Sequence, residues 1–125
     1  VRRRGGRARR IDPITGMNAA EAAYARNRLD ADLHAGRIAA WAFEPERLRL
    51  SHAKLSGGQS AWYTPDFRVV GVDGIIEFHE VKGRWEEAAK VRIRVASDLH
   101  PYRFVIVTAS GGIRAGFSFA FADVE

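Results

Sequence analysis

Cysteine is absent from the 125 residues. Disulfides, thiolate zinc sites and cysteine nucleophiles are excluded together, so any metal must be held by oxygen or imidazole. No apolar run is long enough to span a bilayer, and no basic-then-apolar leader stands at the start. A cytoplasmic location is expected. Acids are missing from the first ten residues, where six of the 20 basic side chains gather: Arg2, Arg3, Arg4, Arg7, Arg9 and Arg10. The net charge of +5 therefore belongs to one end, and the rest of the chain is close to neutral. A basic arm on a neutral body suits a polyanion partner. It reads equally as a solvated tail or the remnant of a longer precursor.

What is there fits one domain: 46% hydrophobic and 28% charged residues, with no internal repeat. Residues 1–16 carry no apolar periodicity and are broken by Gly5, Gly6, Pro13 and Gly16, which predicts a flexible Arg-rich arm and a domain over 17–125. Asn18 followed by Glu21 has the spacing of a capping box, and the Ala-rich run after it predicts a helix to about Gly36 with Ala22, Ala25, Leu29 and Leu33 on one face. Glu21, at the margin of that face, either caps its own helix or leans toward whatever the helix packs on.

Strands are predicted over 38–43, 47–55, 61–70 and 75–82, then a helix over 86–99 with Ala89, Ile93 and Ala96 inward, closed by Pro101. Ser110-Gly111-Gly112 reads as a loop between a buried strand over 102–109 and a last strand alternating Phe117, Phe119 and Phe121. The order is α-β-β-β-β-α-β-β, an α/β fold with a central mixed sheet flanked by two helices.

Polar groups stand inside two of these strands. Asp66 follows Pro65 on one, and Glu80 and Lys82 lie two apart on the next; ionisable groups on β-patterned segments are costly unless paired or holding a metal. Register decides whether they meet. A two-residue Asp73-Gly74 turn sets Asp66 opposite Val81, on the face away from Glu80. A three-residue loop, Val72-Asp73-Gly74 with Gly74 left-handed, sets Asp66 opposite Glu80 and keeps all three together, and this odd loop is the expectation.

Pro65-Asp66, Glu80-Val81-Lys82 and Gly83, with an acid on the preceding helix and bases on the following one, resemble the PD-(D/E)XK nuclease superfamily and its restriction-endonuclease-like core. With Gly36-Arg37-Ile38, Glu44-Pro45, Leu48, Leu50, Tyr63 and Phe67 they resemble its phage-associated, endonuclease I-like or Holliday-junction-resolvase-like branch. Glu44 stands where that pattern would lead one to expect glutamine, and residues 110–125 lie outside it. The resemblance implies a Mg²⁺-dependent DNA endonuclease, with Mn²⁺ able to substitute, in a bacterium or phage-infected cell, working on DNA that is branched in the sharpest form of the reading, as a homodimer.

Hard divalent cations prefer carboxylate, carbonyl and water oxygens, so Asp66, Glu80 and the Val81 carbonyl are the expected ligands. Lys82 would orient water or stabilise the phosphate, and Glu21 would add a carboxylate. Arg84, Lys90, Arg92, Arg94 and the arm residues Arg2, Arg3 and Arg4 are candidate DNA contacts. A restriction- or repair-type nuclease, and a catalytically silent DNA-binding module, are the competing readings. Glu80 and Lys82 also read as an ordinary same-face ion pair, and Lys90, Arg92 and Arg94 as a solvated helix face. His34, His52, His79 and His100 lack metal-ligand spacing and read as structural. Trp41, Trp62 and Trp85 read as core or sheet cover, with no specific signal of base stacking.

Overall fold

A computed structural model describes residues 10–52 and 60–124. The capping box forms as expected: the Asn18 side chain accepts from the Glu21 N–H at 2.9 Å, and Glu21 Oε1 accepts from the Asn18 N–H at 2.9 Å. Behind it run α1 (Ala19–Tyr24), a π-helical segment (Ala25–Leu29) and α2 (Asp30–His34). The π segment is a departure from the sequence reading. It takes in an extra residue, so later positions lag an ideal α-helix by about a quarter turn. Tyr24, Ala25 and Leu29 are buried, while Leu33, which lies beyond the π segment and is expected on the same face, is 38% exposed.

The main sheet has the order β1 (Ile38–Phe43), β4 (Phe67–Gly71), β5 (Ile76–Lys82), β6 (Arg103–Gly112), β7 (Gly116–Asp123). All neighbours are antiparallel except β5 and β6, whose parallel pairing is made by the crossover helix α3 (Glu87–Leu99). β2 (Leu48–Arg49) and β3 (Trp62–Tyr63) form a separate two-stranded ribbon. This mixed α/β sheet with helices is the expected class, with one strand more between the helices. The predicted strand over 61–70 is two strands in different sheets, split at Pro65, and β2 is far shorter than 47–55, of which 53–55 lie outside the described residues.

Two apolar clusters hold the helices to opposite faces. Tyr24, Leu29, Phe67, Val69, Val81 and Val107 pack under the first helix, and Leu48, Tyr63, Phe78, Ile93, Ala96 and Phe104 under α3. The inward set predicted for α3 is thus observed at Ile93 and Ala96, with Ala89 half-buried. β6 continues through the expected loop at 110–112. Gly111 permits this, at φ 95 and so close to Gly116 that a Cβ would strike its carbonyl. Phe117 and Phe119 are half-buried on the first cluster, and Phe121 is 43% exposed beneath the Arg28 guanidinium. No helix among the described residues is long and apolar enough to cross a membrane.

Candidate active site

The β4–β5 hairpin turns through Val72, Asp73 and Gly74. Gly71 N–H donates to Ile75 O at 2.9 Å, Gly74 sits at φ 84, and Asp73 Oδ1 accepts from the Ile75 N–H at 3.0 Å. This is the three-residue loop, which only a left-handed residue at its end can close without strain. Phe67 lies opposite His79. One step further Asp66 stands opposite Glu80, so Asp66, Glu80 and Lys82 face the α3 side while Phe67, His79 and Val81 face the first helix.

Asp66 and Glu80 are locked crosswise. Glu80 Oε1 accepts from the Asp66 N–H at 3.0 Å, and Asp66 Oδ2 accepts from the Val81 N–H at 2.8 Å. Lys82 Nζ lies 3.8 Å from Glu80 Oε2. The Gly71–Ile75 bond fixes 69/77, 67/79 and then 65/81 as the pairs that exchange backbone hydrogen bonds. At the last of these stands Pro65, which has no N–H. The Val81 carbonyl, which in this register points toward Pro65, is therefore offered no donor by the ladder, while the Val81 N–H donates to Asp66 Oδ2.

Glu21 reaches the cluster from the first helix. Its carboxyl caps Asn18 and lies beside Asp66, and it is pushed up to about 7 by burial first and by the Asp66 charge. Capping and leaning inward are thus one conformation. Burial also raises Asp66, with Glu80 adding to the effect, and raises Glu80 against the opposing pull of Lys82. Glu44, at the end of β1 with φ 45, donates its N–H to the Asp66 carbonyl at 2.8 Å and is raised by burial and by Glu21. Tyr63 brings a buried hydroxyl to the Glu80 side, where it has no well-formed hydrogen bond. Neither Glu44 nor Tyr63 is marked by spacing. Both arrive through chain reversals that no local pattern encodes.

The carboxylates are short of positive charge, their oxygens are hard donors, and the Val81 carbonyl lacks its ladder partner. That donor set fits a divalent cation of the Mg²⁺ type. Among the described residues no three His, Asp or Glu side chains are arranged as a metal cluster. A cation here would rest on two carboxylates and a backbone carbonyl.

The other candidates are dispersed. Arg84 is exposed just beyond Lys82. Lys90 and Arg94 line one groove with Trp85 and Ile106, while Arg92 lies on another side, with its charge felt at Tyr63. The three do not form one track. Arg2, Arg3 and Arg4 lie outside the described residues. His79 is buried, held between the Tyr24 hydroxyl at 2.6 Å and Glu77 at 2.9 Å, and burial lowers its pKa. It lines a cavity of about 410 Å³ on the face away from the acids. Trp41 donates to Asp30 and Trp85 to Thr108, as sheet cover. Trp62 departs from that reading, being 39% exposed. No family model, curated protein or solved structure shows significant similarity to this chain.

Proposed function

We propose that the chain is a metal-dependent DNA endonuclease of the PD-(D/E)XK kind, with Asp66, Glu80 and Lys82 as its reactive group. The convergence of these three on one face, through a three-residue loop and the crosswise bonds between Asp66 and Glu80, is the observation that carries the reading. Asp66, Glu80 and the Val81 carbonyl would hold Mg²⁺ or Mn²⁺, which when bound supplies Lewis-acid stabilisation of charge on a phosphodiester. Lys82 offers its ammonium to a phosphate oxygen or to the attacking water, held in place by Glu80. Glu21 presents a third carboxyl beside Asp66, and its cap fixes where.

The sharpest form of the reading is a Holliday-junction-resolvase-like enzyme. Paired symmetric cuts need two sites, and so a two-fold homodimer. Cleavage of four-way, flap, linear duplex and single-stranded DNA, each with Mg²⁺ or EDTA, tests both levels. Cutting with Mg²⁺ should disappear in EDTA and fall at least about a thousandfold in Asp66→Asn and Glu80→Gln, with DNA binding retained. Full activity in either variant refutes the nuclease. A monomer in sedimentation that cuts linear duplex as readily as a junction refutes the resolvase form alone.

A further inference from the structure

The β2–β3 ribbon has a second surface outside the acid cluster. Leu48 pairs with Tyr63 and Arg49 with Trp62. Leu48 and Tyr63 are buried on the α3 cluster, so strand alternation turns Arg47, Arg49 and Trp62 outward. The guanidinium carbons of Arg47 and Arg49 lie 4.6 and 4.8 Å from the Trp62 ring centroid. Neither arginine forms an ion pair among the described residues, whereas Arg28, Arg37, Arg68 and Arg103 all do. Arg49 also meets His52 Nδ1 at 3.2 Å, a partner with no negative charge, so the two guanidiniums around the exposed indole make a cationic, aromatic face.

We propose that this face binds an unpaired stretch of nucleic acid, with a base on the Trp62–arginine stack and neighbouring phosphates on Arg47 and Arg49. The proposal rests on the nuclease reading for its purpose, since Tyr63 follows Trp62 directly and Asp66 is four residues on, at most about 14 Å along the chain. Unpaired nucleic acid fits better than duplex because a stacked base pair hides the π-face that the Trp62–arginine stack would meet, whereas splayed bases stack on aromatic rings and guanidinium planes. Phosphates supply the negative charge the two arginines lack.

Fluorescence anisotropy of the protein in EDTA, with labelled oligothymidylate and with labelled duplex, separates binding from cleavage. Trp62→Ala should weaken oligothymidylate binding about tenfold, the scale of one stacked base, and leave duplex binding nearly unchanged, while Trp62→Phe retains most of the affinity. The double variant Arg47→Ala/Arg49→Ala should reduce the slope of log affinity against log salt on single strands by about 1.4. Unchanged oligothymidylate affinity in Trp62→Ala, or equal losses on single strand and duplex, overturns the proposal. So does an unchanged salt slope in the double variant, or a loss in Trp62→Phe as large as in Trp62→Ala, which would mark a merely structural indole. Mg²⁺-dependent cleavage with unaltered binding in these variants removes this surface and keeps the nuclease. The expected binding losses without any cleavage do the reverse.

Discussion

Glu21→Gln separates the two duties of Glu21. Glutamine serves in a capping box as glutamate does, so the bond to the Asn18 N–H survives and only the charge is lost. Glu21 is held at about 7 against an ordinary 4.5, so the folded, metal-free protein binds its proton more tightly than the unfolded chain. A raised carboxyl contributes its full stability below about 4.5, and that contribution is lost as pH rises to about 7. At 1.36 kcal/mol per pH unit the window amounts to about 3 kcal/mol, and solvent screening of the incompletely buried carboxyl brings the expected value to about 2 kcal/mol. The favourable charge at a helix N-terminus works the other way but is smaller, about 0.3–1 kcal/mol. In EDTA, Glu21→Gln should therefore match the unsubstituted protein near pH 4.5 and exceed it by about 2 kcal/mol at pH 8, roughly 8 °C in melting temperature. Glu21→Ala, which lacks the cap as well, should fall below Glu21→Gln at every pH by about 1 kcal/mol. Urea and thermal melts across this range decide the matter. A Glu21→Gln protein less stable than its parent at pH 8, or a difference that does not change with pH, would refute the account of a strained, cation-seeking carboxyl.

Pro65→Ala puts an N–H opposite the Val81 carbonyl, so the Mg²⁺ concentration for half-maximal thermal stabilisation should rise about tenfold, while metal-free stability changes by no more than about 1 kcal/mol. An unchanged Mg²⁺ dependence would mean that the carbonyl is not a ligand. Tyr63→Phe removes a buried hydroxyl that lacks a good partner, and should leave metal-free stability equal or raised by up to about 1 kcal/mol in urea denaturation. A loss of more than that would show that the hydroxyl is a firm support of Glu80.

Where the sequence speaks locally, fold and pattern agree. The capping box at Asn18, the Ile93 and Ala96 face of α3 and the odd loop at Val72-Asp73-Gly74 each depend on residues within a few positions of one another. The π segment was not legible, because Ala25–Leu29 suits an α-helix equally well and the extra residue is taken up only when Tyr24 and Leu29 are both drawn onto the sheet. Gly111 and Gly112 read as a loop because glycine usually breaks strands, yet here Gly111 lets the β6 and β7 backbones approach. Glu44 and Tyr63 lie 23 and 42 residues from Glu21, and only the closed sheet brings all three to Asp66 and Glu80.

One of the misassigned strands falls on the site itself. Residues 61–70 have the composition of one continuous strand, but Pro65 cannot donate to β5, so the ladder ends there and the preceding residues leave for the ribbon. That departure does three things at once. It deprives the Val81 carbonyl of its donor, frees Asp66 to take the Val81 N–H with its side chain, and carries Tyr63 to the Glu80 side with Trp62 facing outward. On the proposed reading, the local rule is broken where a metal held by these carboxylates would require access, as expected of a site whose pattern departs from the fold around it.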